Sequence, residues 1–297
     1  MVASSTGPPL PFANMFAASA VAACTAEALT LPLDTAKVRL QLQKDGNKYR
    51  GLLGTLGTIA KEEGPAALWK GIEPGLHRQC LFGGLRIGLY EPVRNFYVGK
   101  DFKGEAPLLI KIAAGLTTGA LGIMVASPTD LVKVRMQSEG KLAPGVPRKY
   151  PSALAAYGII VREEGVAGLW KGVGPNIARN ALINAAELAS YDQVKSSLLA
   201  SGMFQDNVVT HILSGLGAGF IAVCFGSPVD VVKSRVMGDK VGRFSGVLDC
   251  FVKTAREEGV AAFYKGFIPN FGRLGSWNVA MFLTLEQMKK IVTPKEH

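Results

Sequence analysis

Pro32-Leu33-Asp34-Thr35-Ala36-Lys37-Val38-Arg39, Pro128-Thr129-Asp130-Leu131-Val132-Lys133-Val134-Arg135 and Pro228-Val229-Asp230-Val231-Val232-Lys233-Ser234-Arg235 are one pattern written three times, at intervals of 96 and 100 residues. About thirty residues after each copy comes a second shared string. It reads Glu63-Gly64 with Trp69-Lys70-Gly71, then Glu164-Gly165 with Trp170-Lys171-Gly172, then Glu258-Gly259 with Tyr264-Lys265-Gly266. Two motifs recurring in step divide the chain into a tail at 1–11, repeats at 12–99, 100–200 and 201–292, and a tail at 293–297. The period is too long for a solenoid unit, so each repeat is expected to be a small bundle and the three to surround a common axis.

Each repeat opens on an apolar stretch that ends at its Pro: Phe12 to Leu33, Leu108 to Thr129 and Val208 to Val229. At roughly twenty residues each, these can span a bilayer as helices. Thirteen and nine residues before the Pro sit Ser19/Ala23, Gly115/Gly119 and Gly215/Gly219, the small-xxx-small spacing that lets membrane helices approach closely. A short amphipathic segment such as Leu53 to Glu62 follows, then a second long helix at 74–97, 175–198 and 269–291. The reading from residues alone is an all-α membrane protein of three small bundles around a common axis, each with two long helices and a short one between them.

Composition agrees with this. Of 297 residues 48% are hydrophobic and 19% charged, with 35 Gly, and mean hydropathy is +0.22. That excludes a disordered or nucleic-acid tail protein. Lys and Arg number 33 against 23 Asp and Glu, a net charge of +10, which suits an anionic lipid surface or a small anionic substrate. Cys24, Cys80, Cys224 and Cys250 make no metal-ligand spacing with one another or with His77, His211 and His297, so reduced thiols are expected and neither a metal nor a cofactor. The first fifteen residues carry no Lys or Arg, so no cleavable presequence is expected.

The pattern P-x-D-x-x-K-x-R, then E-G, then aromatic-Lys-Gly, in triplicate over nearly the whole chain, resembles the mitochondrial carrier family. The resemblance implies an inner-membrane, multi-pass, monomeric protein with six transmembrane helices in three pseudo-threefold repeats, both termini on the intermembrane-space side and alternating access to one central site. It does not suggest an enzyme. Within the family, Leu85-Arg86-Ile87-Gly88-Leu89-Tyr90, Asn184-Ala185-Ala186-Glu187 and Arg273-Leu274-Gly275-Ser276-Trp277-Asn278 resemble the uncoupling-protein branch, with its plant members nearest.

In each copy of the first motif Asp and Lys are three apart and share one helix face, while the Pro removes a backbone hydrogen bond. Pairing Asp34, Asp130 and Asp230 with Lys37, Lys133 and Lys233 of neighbouring repeats would close the matrix side by a ring of ion pairs, because unpaired charge at that depth is costly. The second helices carry Tyr90-Glu91-x-x-Arg94, Tyr191-Asp192-x-x-Lys195 and Leu285-Glu286-x-x-Lys289. These resemble the family's cytoplasmic gate, with Leu285 in place of an aromatic. Gln41 and Gln137 resemble the glutamine braces of the matrix gate, and Met237 stands at the third such position.

Thirteen residues before each cytoplasmic gate acid lies an arginine: Arg78, Arg179 and Arg273. Planar and permanently charged, these suit bidentate binding of carboxylate or phosphate. Structural salt bridges are the competing reading. Arg179-Asn180 resembles the second contact point of keto-acid and dicarboxylate carriers. Eight residues beyond the arginines the repeats diverge into Arg86, Glu187 and Met281, where burial of Glu187 would make it pH-sensitive. The branch resemblance implies a fatty-acid-activated proton leak inhibited by purine nucleotides, with Arg86, Asn184, Glu187 and Trp277 at nucleotide or pH-sensing positions beside the arginines. The same arginines suit exchange of malate, oxaloacetate, aspartate, glutamate, phosphate or sulfate without physiological leak. An ADP/ATP exchanger is disfavoured, since Lys233-Ser234-Arg235-Val236-Met237 lacks that branch's run. Gly51 and Gly246, with Trp69-Lys70-Gly71, Trp170-Lys171-Gly172 and Tyr264-Lys265-Gly266, match the family's cardiolipin sites. Ser152 replaces Gly in the second.

Overall fold

A computed structural model describes residues 12–43, 48–99, 107–142, 146–202, 205–239 and 242–292. The side chains of Arg86 and Lys289 lie outside the described part, as do the residues of both tails. Among the described residues nine α-helices form three matching sets: α1 Phe12–Leu42, α2 Gly51–Glu63 and α3 Ile72–Val98; α4 Leu108–Ser138, α5 Ala153–Glu164 and α6 Val173–Ala200; α7 Val208–Gly238, α8 Val247–Glu258 and α9 Phe267–Val292. A 3-10 turn follows each short helix, at Pro65–Trp69, Val166–Trp170 and Val260–Tyr264.

Helices α1, α4 and α7 do not stop at the motif prolines. They run through Pro32, Pro128 and Pro228, so the Asp, Lys and Arg of each motif sit on the last helical turns. Each second helix starts two residues ahead of the expected point because the Gly of aromatic-Lys-Gly ends the preceding turn. Gly71 and Gly172 are left-handed, at φ +85° and +91°. A Cβ on Gly71 would also lie 3.3 Å from the Lys133 carbonyl oxygen, and one on Gly266 3.2 Å from that of Lys37. The glycine therefore permits both the turn and the contact between repeats.

Packing is heaviest between repeats: α3 lies on α4, α6 on α7 and α9 on α1, while α1–α3, α4–α6 and α7–α9 touch less. The six long helices thus close a ring. Ile110–Ser138 and Val209–Gly238 are long and apolar enough to cross a membrane by composition alone. The second helices α3, α6 and α9 hold arginines and gate residues within their spans, and it is the repeat that identifies the six long helices as equivalents.

The expected small-residue contacts are placed differently. Gly115, Gly119 and Gly215 have no neighbour within 4 Å of a built Cβ, and Gly219 makes only ordinary contact with Leu274. Close approach occurs elsewhere: a Cβ would meet Phe82 at 3.3 Å from Gly122, Val194 at 3.0 Å from Gly217 and Ile183 at 2.6 Å from Gly226. The small-xxx-small spacing marked helices that pack but not the face they pack with, since the partner's side chains decide which glycine is needed.

The short helices cap the motif ends of the long ones. Ile59 packs with Leu40, Tyr49 and Ala67; Ile160 joins Leu131, Val132 and Tyr150; Cys250 joins Val232, Val236 and Phe263.

Candidate transport site

At the motif end of the ring the three predicted ion pairs are formed. Lys37 Nζ lies 2.9 Å from Asp230, Lys133 Nζ 2.5 Å from Asp34 and Lys233 Nζ 3.4 Å from Asp130. Each bond joins one repeat to another, and the partners are almost wholly buried, so this end is shut. Of the two predicted braces only one touches a gate acid: Gln137 Nε2 donates to Asp34 at 3.3 Å. Gln41 instead accepts from Ser234 Oγ at 2.6 Å, because its oxygen meets a hydroxyl on α7 before it meets an ion pair. Met237 is fully buried beside Gly172.

Below this ring lies a second one. Arg39 forms a bidentate pair with Glu63 at 3.0 and 3.1 Å, Arg235 with Glu258 at 2.5 and 2.8 Å, and Arg135 with Glu164. The same guanidiniums reach the next repeat's backbone: Arg39 to the Gln137 carbonyl, Arg135 to that of Met237 at 3.2 Å and Arg235 to that of Gln41 at 3.2 Å. These bonds run cyclically from repeat 1 to 2, 2 to 3 and 3 to 1. They explain why the Arg of the first motif and the Glu of the second recur together, a coupling whose role the sequence reading left unassigned. Burial raises the Glu63, Glu164 and Glu258 carboxyls, but hydrogen bonds and charge from Lys70, Lys265 and the arginines outweigh it and hold all three below the ordinary carboxylate value.

Arg78, Arg179 and Arg273 stand on α3, α6 and α9, Arg78 about 9 Å along α3. Each meets a gate acid of the next repeat: Arg78 lies 2.6 Å from Asp130, Arg273 3.3 Å from Asp34, and Arg179 pairs with Asp230. The salt-bridge reading of these arginines therefore holds in this conformation. Every gate acid is shared between a Lys of the closing ring and an Arg of the triad. Asn176 and Asn270 add hydrogen bonds to Asp130 and Asp230 at 2.7 and 2.9 Å. Asn180 donates to the Asn176 carbonyl at 2.8 Å.

Repeat 1 breaks the pattern. Gly75 occupies the place of Asn176 and Asn270, and the room it leaves is taken by the buried Glu27, whose Oε1 is 3.1 Å from a Cβ built there. Glu27 lies 2.6 Å from Lys133 and accepts from Gln79 at 2.9 Å. In the sequence Glu27 is an acid within the apolar stretch from Phe12 to Leu33. A signal was present, since Ile123 and Val223 stand at the matching positions. The cluster thus holds six cations, Lys37, Lys133, Lys233 and the three arginines, against four acids, an excess of two positive charges. The arginine side chains keep 16–24% of their exposure.

The opposite end is open, its gate acids Glu91, Asp192 and Glu286 all exposed. Among the described residues no ion pair joins Glu91, Arg94, Asp192 and Lys195 to one another. Arg94 donates to Asn95 at 3.1 Å, while Lys195 lies 3.1 Å from Asp206, which also faces His211 Nε2 at 3.1 Å. Tyr191 Oη and His211 Nδ1 are 2.7 Å apart. Glu286 is exposed, and its predicted partner Lys289 lies outside the described side chains. Asn184 and Glu187 are exposed and Trp277 half-buried, so the burial that would make Glu187 pH-sensitive is absent; the Arg86 side chain lies outside the described part.

The lysines of aromatic-Lys-Gly bond within the protein. Lys70 and Lys265 lie 2.6 Å from Glu63 and Glu258, and Lys171 donates to the Asp239 carbonyl at 2.9 Å. Trp69 and Trp170 donate to the Ala28 and Met124 carbonyls, both at 2.9 Å.

A threefold ring of helices, shut at one end by symmetric ion pairs and open at the other onto a cationic floor, is matched by the mitochondrial carrier protein family over residues 8–101, 104–202 and 204–296. The chain belongs to the mitochondrial carrier family. Its carrier fold has one family unit per repeat, and the family is one of transporters, not enzymes. The carrier is 71% identical over 290 residues to mitochondrial uncoupling protein 1 of Arabidopsis thaliana, covering 95% of this chain and 94% of that protein. It is 62% identical to mitochondrial uncoupling protein 2 of the same plant over the same shares.

Proposed function

We propose that this carrier is of the uncoupling-protein type, a multi-pass protein of the mitochondrial inner membrane that passes small carboxylate anions by alternating access and mediates a fatty-acid-activated, purine-nucleotide-inhibited proton leak. The observation that carries the anion part is the excess of two positive charges at the floor of a cluster open on one side. The identity to uncoupling proteins supports the leak. A carboxylate arriving from the open end meets Arg78, Arg179 and Arg273 before the lysines. To bind, it competes with Asp130, Asp230 and Asp34 for those guanidiniums. Each arginine so captured leaves its gate acid with fewer cation partners and loosens the α3–α4, α6–α7 or α9–α1 seam, which couples occupancy to opening of the shut end. Arg86, Asn184, Glu187 and Trp277, further toward the open end, suit the base and outer phosphates of an inhibiting nucleotide. Cardiolipin phosphates suit the starts of the short helices.

The cation excess serves equally an exchanger of malate, oxaloacetate, aspartate, glutamate, phosphate or sulfate without leak. Purified carrier in liposomes loaded with malate, aspartate, phosphate or buffer separates the two readings. Uncoupling type predicts proton flux that needs fatty acid and is suppressed by GTP; counter-exchange with no such flux overturns it. Replacing Arg78, Arg179 or Arg273 by Lys keeps charge but removes the planar fork, and should cut carboxylate transport by about tenfold or more. Wild-type rates in all three variants would remove the arginines from the site.

A further inference from the structure

The start of α5 differs from the starts of α2 and α8. A helix start presents unpaired amides and the positive end of the helix dipole, which together attract an anion. At α2 the preceding Arg50 supplies no cap and the first turn holds no acid. At α8 Gly246 supplies no cap, and the Asp249 carboxylate turns back to the Ser245 amide at 3.0 Å. At α5 two amides are already satisfied: Ser152 Oγ accepts from Ala155 at 3.3 Å, and Glu73 Oε2 accepts from Ala153 at 2.8 Å.

Glu73 comes from another repeat. It sits in the first turn of α3, beside a cavity of about 190 Å³ lined by Lys70, Gly71, Arg148 and Tyr150. One carboxylate therefore faces two helix starts, its own and that of α5, in a pocket whose walls carry Lys70 and Arg148 and also the buried Glu139, whose carboxylate accepts from the Lys149 amide at 2.9 Å. The equivalent junction between α9 and α2 has no such occupant: its cavity of about 490 Å³ is lined by Gly51, Leu52, Gly266 and Ile268. Ile268 and Gly174 hold the positions matching Glu73, so only repeat 1 places an acid there.

We propose that Glu73 is a built-in anion whose carboxylate, bonded to the Ala153 amide, takes the place of a lipid phosphodiester and removes the repeat 1–repeat 2 junction from anionic-lipid binding. This rests on the cardiolipin reading above and limits it to fewer than three junctions. The junction stays closed whatever the lipid composition, whereas open junctions depend on it.

Full-length carrier, Glu73→Gly and Glu73→Gln are purified in mild detergent. Retained cardiolipin is counted by native mass spectrometry, and thermal shifts are recorded against added cardiolipin, phosphatidylcholine and inorganic phosphate. Glu73→Gly should retain about one more cardiolipin per chain than the unaltered protein and gain the larger shift from it. Glu73→Gln, which keeps an acceptor on Ala153 without the charge, should fall between. Equal counts and equal shifts in all three proteins overturn the proposal while leaving the lipid reading intact. Absence of retained cardiolipin in every protein overturns both. Stabilisation of Glu73→Gly by phosphate as strong as by cardiolipin makes the vacated position a free-anion site and overturns the lipid assignment. Should Glu73→Gly fail to fold, Glu73→Gln alone decides, by gaining or not gaining cardiolipin over the unaltered protein.

Discussion

Asp230 carries three bonds at once, to Lys37, Arg179 and Asn270, and is almost fully buried. Removing such an acid leaves two cations unpaired in a low-dielectric site, a loss of about 3–5 kcal/mol where buried pairs have been broken singly. Asp230→Lys should therefore abolish transport, while Glu62→Lys, which breaks only the exposed pair with Lys48, should leave it near wild type at equal abundance. Exchanging the pair, Asp230→Lys with Lys37→Asp, should recover part of the loss, since the inter-repeat bond is restored although Arg179 then faces a lysine. Additive losses in that double-mutant cycle would exclude pairing as the reason. Glu27 shows what a symmetric pattern hides: one Gly in place of Asn opened space for a fourth acid, and only side-chain packing reveals that Lys133 turns to it.

Among the helices, glycine position separates packing from spacing. Gly226→Ala places a Cβ 2.6 Å from Ile183 and should lower the melting temperature of the purified carrier, costing about 1–3 kcal/mol as overpacking does. Gly115→Ala, with nothing within 4 Å, should be neutral or slightly stabilising through helix propensity. A melting temperature equally lowered by both would mean that the small-xxx-small stripe is a contact after all. The short helices give a pH signature. Glu63, Glu164 and Glu258 are held below the ordinary carboxylate value. The stability they add is complete above their unfolded pKa and is lost as pH falls through the lower folded values. Melting temperature should therefore drop on acidification from neutrality toward about pH 4. Glu63→Gln should lower it at neutral pH and flatten the dependence. An unchanged profile in that variant would dissociate the Arg39–Glu63 pair from stability.

Across the whole molecule, one end is shut and the other open, and Lys195 is held from its gate by Asp206. Asp206→Asn frees that lysine. An exposed pair is worth about 1 kcal/mol at most, so the closed-to-open ratio of the outer end should shift by up to about fivefold. Labelling of Asn184→Cys by an impermeant thiol reagent, in a background where the four native Cys are replaced, reads this as slower modification. Labelling unchanged by Asp206→Asn would remove the latch.

The triplicate Pro-Asp-Lys-Arg and Glu-Gly strings by themselves determined three repeats, the order of long and short helices, and the Lys–Asp ring, because threefold identity of opposite charges on one helix face admits few other arrangements. Which end is open, the sharing of each gate acid with an arginine, the divergence of Gln41 from Gln137, the role of Glu27 and the seating of Glu73 on α5 were decided by tertiary structure alone. Sequence periodicity places a side chain on a face. Whether its charge is met by a ligand, a lysine or the amide of another repeat depends on atoms a hundred residues away along the chain and within 3 Å in space, and that distance exists only once the ring has closed.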